Sequence, residues 1–212
     1  MPHVAALYDI HGNLPALEAV LAEVPADATI VVGGDVCAGG EQPAETLERL
    51  RGLGDRVRWI RGNADRELTP GELGLAPGEF IDATRRKLTD EQIAFLYANP
   101  PSVRIGRTLY VHASPRNDVD IFTERTPEER IACLFEGVDA GVVVVGHVHT
   151  QYERTVAGKR LINAGSVGMP YEDEPGAYWL LDLEHRRTAY DGAKLADTTR
   201  EEAVAHFTDL GL

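Results

Sequence analysis

The fold is decided near the start of the chain, where residues 4–35 read VAALYDIHGNLPALEAVLAEVPADATIVVGGD. The apolar run from Val4 to Tyr8 predicts a buried strand, and Asn13 is a residue type that commonly caps the start of a helix. Apolar residues at helical spacing follow Asn13, and Thr29 to Val32 predicts a second buried strand. A strand, a helix and a second strand in this order predict a largely parallel sheet with helices on its faces.

The rest of the chain continues this alternation and then changes character. In the first half we expect helices at 43–50, 81–87 and 90–97 and a strand at 57–60. In the second half the connections are shorter, which favours antiparallel pairing. The elements expected there are strands at 102–105, 108–111, 142–145, 152–156, 160–162, 177–183 and 187–190 and helices at 127–135 and 200–208. No repeat marks a boundary, so one domain over residues 1–212 is expected.

Composition restricts the classes of protein and partner. The chain has 212 residues, of which 43% are hydrophobic, and a formal net charge of -13. Proteins that follow a nucleic-acid backbone are usually basic, so non-specific nucleic-acid binding is not expected. No apolar run approaches the ~20 residues that span a bilayer, and the start of the chain does not resemble a signal peptide. The two cysteines form no disulfide framework, which suits a soluble, cytoplasmic protein without a membrane partner.

Side chains that bind metal ions occur where the predicted strands end. They belong to five groups: Asp9-Ile10-His11, Gly34-Asp35, Gly62-Asn63-Ala64-Asp65, His112 and Gly146-His147-Val148-His149. In an open α/β sheet, ligands bind beyond the carboxyl ends of the strands. Residues two apart in an extended segment point the same way, so each Asp/His or His/His pair can approach one site. The sequence therefore predicts one site assembled from five segments.

The donor atoms of these side chains indicate hard or borderline divalent cations. Carboxylate, imidazole and amide donors suit Mn, Fe, Zn, Co or Ni and do not select one of them. Two carboxylates, one amide and four imidazoles are too many for one ordinary site. Two ions about 3.5–4 Å apart, bridged by one carboxylate, would account for the whole set.

The order of the five groups carries a family resemblance. In order, they are the motifs D-x-H, G-D, G-N-x-D, a lone His and G-H-x-H, between residues 9 and 149. This series resembles the motifs of the calcineurin-like metallophosphoesterase superfamily, and the chain is similar to its compact, YfcE-like bacterial phosphodiesterases. The segment Asn163-Ala164-Gly165-Ser166 also resembles a segment of these compact members. The implied fold is a β-sandwich of two sheets flanked by helices, in four αββα layers.

The resemblance also implies a role for each motif residue. One ion would be bound by Asp9, His11 and His149, and the other by Asn63, His112 and His147. Asp35 would bridge the two ions, for which manganese is the expected metal. The implied reaction is hydrolysis of a small phosphate ester, expected to be a diester, by in-line attack of a hydroxide that bridges the metals. The expected catalytic residues are Asp35, Asn63, His112 and Asp65, and the expected substrate-binding residues are Asn63 and Arg116.

Three residues leave alternatives open. Many family members carry histidine directly after the asparagine, whereas this chain has Ala64, as compact members do. Without that general acid, we expect diesters or esters with good leaving groups to be preferred over alkyl monoesters. Asp65 either orients a ligand histidine or stabilises a turn. Arg116 either holds a substrate phosphate by a bidentate contact or is a solvated loop residue.

Other functions are compatible with the same motifs. A phosphomonoesterase, a phosphoprotein phosphatase and a dinucleoside polyphosphate hydrolase would share the metal ligands. A non-catalytic scaffold of the retromer-subunit kind would be expected to have lost several of them, whereas all seven are present here. The segments 67–79 and 113–126 are expected to be loops that shape the pocket.

Overall fold

Ten strands in the part of the chain that the structure describes form two five-stranded sheets. The structure is a computed structural model that describes residues 3–72, 78–192 and 195–211. The first sheet has the order β10-β9-β1-β2-β3. Its strands are β1 (Val4–Leu7), β2 (Thr29–Val32), β3 (Val57–Trp59), β9 (Ala177–Leu181) and β10 (Glu184–Thr188). The second sheet has the order β4-β5-β6-β8-β7. Its strands are β4 (Ser102–Ile105), β5 (Thr108–Val111), β6 (Val142–Val145), β7 (Gln151–Val156) and β8 (Lys159–Ala164).

Helices cover the outer faces of both sheets. They are α1 (Leu14–Glu23), α2 (Pro43–Arg51), α3 (Asn63–Glu67), α4 (Gly78–Arg85), α5 (Asp90–Ala98), α6 (Glu128–Phe135) and α7 (Arg200–Leu210). The expected helix cap is present, since the Asn13 side chain accepts a hydrogen bond from the Ala16 amide at 3.2 Å. In the described residues, no helix combines the length and the apolarity needed to cross a bilayer.

The central strands β1 and β6 are apolar on both faces because both faces are buried. In β1, Ala5 and Leu7 pack with α1, α2 and α5, whereas Ala6 points between the two sheets. In β6, Val143 and Val145 pack with α6, whereas Val144 points between the sheets. Alternate side chains of one strand thus pack in different layers, which explains why these two strands lack polar positions. The four-layer αββα architecture expected from the resemblance is confirmed.

Parallel pairing brings the carboxyl ends of the strands together. β1 pairs with β2 and β2 with β3 in parallel, and β5 and β6 are also parallel. The segments that follow these five strands therefore leave the two sheets at the same kind of edge. All five predicted metal-binding groups lie in these segments.

Several sequence predictions of element boundaries were wrong, among them that of the helix expected at 81–87, which is Gly78–Arg85. The strands expected at 177–183 and 187–190 are β9 and β10, which meet at a tight turn formed by Asp182 and Leu183. Both turn residues have positive φ, 52° and 68°, and no glycine marks the turn in the sequence. The loop expected at 67–79 is shorter, because residue 67 ends α3 and residue 78 begins α4. Its central residues 73–77 lie outside the described part of the chain.

Candidate metal centre

The seven predicted ligands converge into two neighbouring clusters. One cluster contains Asp9, His11 and His149, and the other contains Asp35, His112 and His147. Within each cluster, the donor atoms all lie within 4.8 Å of one another. The seventh predicted ligand, Asn63, joins the second cluster, since its Oδ1 lies 3.1 Å from His112 Nε2. His147 is half-buried and the other six residues are buried.

Backbone carbonyls fix the orientation of three of the four imidazoles. Nδ1 of His11 lies 2.6 Å from the Ala38 carbonyl oxygen, and Nδ1 of His149 lies 2.8 Å from that of Met169. Nδ1 of His112 lies 2.9 Å from the carbonyl oxygen of residue 33. A carbonyl oxygen only accepts hydrogen bonds, so Nδ1 carries the hydrogen in each ring and the neutral ring has a free lone pair at Nε2. Such bonds commonly hold a histidine for metal coordination.

In the first cluster, acceptor atoms face one another. Nε2 of His11 and Nε2 of His149 are 3.2 Å apart, although both carry lone pairs. Oδ1 of Asp9 lies 3.5 Å from His149 Nε2 and is buried without a hydrogen-bond donor among the described residues. Lone pairs and a buried carboxylate oxygen repel one another unless a positive charge lies between them. A divalent cation would satisfy all three atoms, so these residues fit a metal ion.

The second cluster has the same character. The Asn63 amide nitrogen donates to Oε1 of Glu67 at 3.0 Å, which turns Asn63 Oδ1 toward His112 Nε2. When the ring is neutral, two acceptors thus again face each other, and Oδ2 of Asp35 lies 3.5 Å from the same Nε2. Burial lowers the pKa of His112, but the charges of Asp35 and Asp9 outweigh it and raise the pKa above its ordinary value, so positive charge is favoured at this point. Glu67 is buried and was not singled out from the sequence, because a carboxylate four residues after asparagine is an ordinary helical spacing. Its position shows that it orients the amide.

Asp65 contacts the backbone of the two metal-binding segments and is not a member of either cluster. Its Oδ2 accepts from the amides of Asp35 at 2.9 Å and Gly62 at 3.1 Å, and its Oδ1 accepts from Val36 at 3.0 Å. The carboxylate therefore connects the turn after β2 with the turn before α3. Of the two roles left open by the sequence, this geometry corresponds to the turn residue. A catalytic role of Asp65 stays a prediction.

Burial and neighbouring charges set the protonation of the site. Burial favours the neutral form of Asp9, but the imidazoles around it, His149 first, outweigh this effect and hold its pKa well below the usual range. Burial raises the pKa of Asp35 to about 7. Burial lowers the pKa of His11 to about 4 and that of His147 to about 3, so both rings are neutral at pH 7 and can coordinate a metal.

Left-handed backbone turns, rather than extended segments, bring the ligands together. Eight described non-glycine residues have positive φ, and five of them are predicted ligands: Asp9, His11, Asp35, His147 and His149. The convergence expected from the sequence is present, but the extended geometry invoked for it was wrong. Neighbouring segments hold these turns in place, since the His11 amide donates to the Asp35 carbonyl oxygen at 2.9 Å.

The segment Asn163-Ala164-Gly165-Ser166 forms hydrogen bonds with two of the metal-binding loops. The Asn163 side chain donates to the carbonyl oxygen of Gly146 at 2.7 Å, directly before the two histidines of that loop. Ser166 Oγ donates to the Asp9 carbonyl oxygen at 2.7 Å. These bonds fix two of the metal-binding loops relative to β8.

Arg116 does not line the cavity that contains five of the seven predicted ligands. Its guanidinium makes a two-point contact with Asp120, and its side chain is 50% exposed. It lines a neighbouring cavity of about 310 Å³ together with Arg61, Arg66 and His112. A phosphate contact would require Arg116 to exchange one carboxylate bond for a phosphate bond. Its role in substrate binding stays a prediction.

The metal clusters open into a cavity of about 310 Å³ that has an unexpected wall. Ala64 lies in it, at the position where a histidine would stand in many family members. The C-terminal helix α7 contributes His206, Phe207 and Leu210. The sequence predicted this helix but not its place at the cavity, because nothing in a helix distant in sequence indicates which cavity it borders.

Comparison with known proteins identifies the domain. The model of the calcineurin-like phosphoesterase superfamily domain matches residues 3–186. A protein of Methanocaldococcus jannaschii is 26% identical, over 89% of this chain and 88% of that protein. A symmetrical bis(5'-nucleosyl)-tetraphosphatase of Pectobacterium atrosepticum is 34% identical over 99 residues, which cover 43% of this chain. The alignment spans only 35% of that tetraphosphatase.

Solved structures share the fold. A metallophosphoesterase from Sphaerobacter thermophilus superposes with a TM-score of 0.75 at 24% identity, covering 90% of this chain and 89% of that chain. YfcE, a phosphoesterase from E. coli, superposes with a TM-score of 0.50 at 22% identity, covering 84% of this chain and 87% of YfcE. At these identities the superpositions support the fold, and the sequence match supports the family.

Proposed function

The chain belongs to the calcineurin-like phosphoesterase superfamily, and on that premise we propose that it is a metal-dependent phosphodiesterase with a dinuclear centre. One observation carries the proposal. Two pairs of buried acceptors face each other at 3.2 Å and 3.1 Å, His11 with His149 and His112 with Asn63, in adjacent clusters. Each pair is explained by a cation, and two adjacent cations suit hydrolysis of a phosphate ester.

The predicted ligands would have different roles in catalysis. Two divalent ions, when bound, would lower the pKa of water and offset the charge on the phosphate oxygens. Asp35 would be shared between the two ions. Its Oδ2 lies 3.5 Å from His112 Nε2, and the negative charge of Asp9 is near enough to raise the pKa of Asp35. Asn63 would present its amide oxygen to the second ion in the orientation set by Glu67. Manganese remains the expected metal.

The preference for diesters follows from the position after Asn63. Ala64 is buried at the metal cavity and offers no proton to a leaving group. General acid catalysis contributes about 10²–10⁴-fold, so poor leaving groups should react slowly. We therefore expect bis-p-nitrophenyl phosphate to be hydrolysed faster than an alkyl phosphate. Faster turnover of the alkyl monoester would contradict this preference.

A second candidate is hydrolysis of dinucleoside polyphosphates. It is favoured by the 34% identity to the symmetrical tetraphosphatase of Pectobacterium atrosepticum. Because that match covers only 43% of this chain, it ranks below the diesterase. Diadenosine tetraphosphate in the same substrate panel distinguishes the two. The scaffold alternative is disfavoured because all seven predicted ligands are present and converge.

The decisive experiment reconstitutes the metal centre. Protein stripped by a chelator is reloaded with Mn²⁺, Zn²⁺, Co²⁺ or Ni²⁺ and assayed on diesters, monoesters, cyclic nucleotides and dinucleoside polyphosphates. Asp35→Asn is expected to abolish turnover while the circular-dichroism spectrum is unchanged. Asp27→Asn, at an exposed position, makes the same chemical change away from the site and should retain activity. Full activity of Asp35→Asn would refute a shared carboxylate.

A further inference from the structure

Part of the wall of the metal cavity is apolar and comes from outside the metal-binding loops. Its hydrophobic members include Phe80 of α4, Ile121, Met169, Tyr171, and Phe207 and Leu210 of α7. These side chains share the cavity with Asp35, Asn63 and three of the four predicted histidine ligands. A phosphate held by the metal-binding side would therefore have its organic substituents against hydrophobic surface.

Aromatic rings form a continuous surface that begins at a predicted ligand. The Tyr171 ring stacks on the His149 imidazole, with centroids 4.9 Å apart and planes at 19°. Phe207 packs on Tyr171 at 5.9 Å, and His206 packs on Phe207 at 5.4 Å. Such rings offer flat surface suited to another planar ring.

The helix that carries this surface is fixed in position. Thr199 caps α7 through a reciprocal hydrogen-bond pair with residue 202. The Arg200 guanidinium donates two 2.7 Å hydrogen bonds to Glu172. Thr208 and Thr123 share a 2.6 Å hydroxyl contact. A wall held in this way is preformed, so a ligand that binds it does not have to order the helix.

Hydrophobic exposure is concentrated at this cavity. In the described residues, three large hydrophobic side chains are more than a third exposed: Phe80 at 41%, Tyr97 at 37% and Leu210 at 58%. Two of the three line the metal cavity. Leaving apolar surface in water is unfavourable, so grouped exposed hydrophobic side chains indicate a surface that a ligand covers.

The part of the wall that α7 contributes lies outside the matched residues of the family domain. The family match ends at residue 186, whereas α7 begins at Arg200. His206, Phe207 and Leu210 therefore lie outside the matched residues. They are positioned to select among the substrates that a dinuclear phosphoesterase centre could hydrolyse.

We propose that α7 and Tyr171 form a subsite for a planar aromatic group of the substrate, carried next to the reacting phosphate. The group is a nucleobase or a simple aryl ring, both of which can stack on Tyr171 and Phe207. The inference rests on the proposed function, because the metal centre has to hold the phosphate.

A series of diesters with one constant leaving group tests the subsite. Methyl, cyclohexyl and phenyl p-nitrophenyl phosphates and thymidine 5'-p-nitrophenyl phosphate all release p-nitrophenolate when water replaces it on phosphorus. Differences in kcat/KM then report mainly the non-leaving substituent. Phenyl is expected to exceed methyl by about tenfold and to exceed cyclohexyl as well, because a planar ring stacks. Comparison of phenyl with thymidine distinguishes a simple aryl group from a nucleoside.

Variants of the wall assign the preference to α7. Phe207→Leu keeps an apolar side chain but removes the ring, and it should abolish the advantage of phenyl over cyclohexyl. Leu210→Ser, at a 58% exposed position, should reduce the advantage of both over methyl without loss of stability. Tyr97→Ser removes an exposed aromatic side chain elsewhere and should leave the whole series unchanged.

A binding measurement separates this inference from the proposed function. Calorimetry of Mn²⁺-loaded protein compares phenylphosphonate with methylphosphonate and needs no turnover. If no ester is hydrolysed but phenylphosphonate binds about tenfold tighter, and Phe207→Leu removes the difference, the proposed function fails and the subsite stands. Equal binding and equal kcat/KM for methyl and phenyl overturn the subsite. So does a change in oligomeric state of Leu210→Ser with unchanged specificity, which would assign the wall to a second copy.

Discussion

Substitution of Gly62 by alanine tests the packing that holds Asp35 in the site. A Cβ atom at Gly62 would lie 2.1 Å from Asp35 Oδ1 and 2.5 Å from the Asp35 backbone nitrogen. Ordinary contacts between such atoms are 3.4–4 Å. Gly62 has φ -90° and ψ 173°, which alanine adopts without strain. The substitution therefore acts through this collision alone, and Gly62 and Asp35 must separate by about 1 Å.

The two consequences of that shift differ in size. Overpacking of a tight site costs about 1–3 kcal/mol, which leaves most of a typical stability of about 5–15 kcal/mol. The variant should therefore fold. A displacement of about 1 Å can reduce catalysis about 100-fold, and a weakened ligand lowers metal affinity about 10–100-fold. Function should therefore be lost far more than stability.

Three measurements on Gly62→Ala check this difference. Urea unfolding of the metal-free protein gives its stability, calorimetry gives the Mn²⁺ affinity, and bis-p-nitrophenyl phosphate gives the activity. The matched control is Gly78→Ala, since Gly78 begins α4 and a Cβ there would meet nothing within 4 Å. The control should behave as the parent protein does. Parent-like metal affinity and activity in Gly62→Ala would refute the assignment of Asp35 to the metal centre.

Three further predictions address neighbouring groups. Asp65 accepts hydrogen bonds from three backbone amides, and Asp65→Asn would turn an NH₂ group toward at least one of these donors. Calorimetry should then show an Mn²⁺ affinity about 10–100-fold lower. Unchanged affinity would contradict a positioning role for Asp65. Ala64→His should raise the relative rate on alkyl phosphates by supplying a proton donor, and no gain would contradict our explanation of the diester preference. Because burial raises the pKa of Asp35 to about 7, its proton competes with the metal, so Mn²⁺ affinity should increase as the pH rises through about 7; a flat profile would contradict this.

The family resemblance was sufficient to predict the two sheets, and the residues at the strand ends were sufficient to predict the convergence of the ligands. Strand ends were recognisable because β1 and β6 are apolar throughout and β2 is apolar after Thr29, and polar metal-binding side chains follow each strand within three residues. Parallel strands place such ends at one edge, so convergence followed from topology. The family prediction was also confirmed. It could be made from the sequence because each motif is a short segment with characteristic spacing.

Contacts between distant segments could not be predicted in this way. The role of Glu67 depends on what the Asn63 amide oxygen faces, and that partner is His112, which follows a strand of the other sheet. The wall formed by α7 depends on where the last helix packs, which its own periodicity does not specify. The β9–β10 turn was missed because Asp182 and Leu183 adopt conformations that usually require glycine.

The backbone of the ligands suggests why metal binding and folding should be coupled here. Five predicted ligands have φ between 52° and 68°, a region that costs non-glycine residues roughly 1–3 kcal/mol each. These conformations direct the side chains of Asp9, His11 and His149 into one cluster, where their acceptor atoms repel one another. Strain and repulsion both oppose the metal-free fold, whereas the hydrogen bonds to Ala38 and Met169 favour it. A bound cation removes the repulsion, so its binding energy should appear directly as added stability of the folded protein.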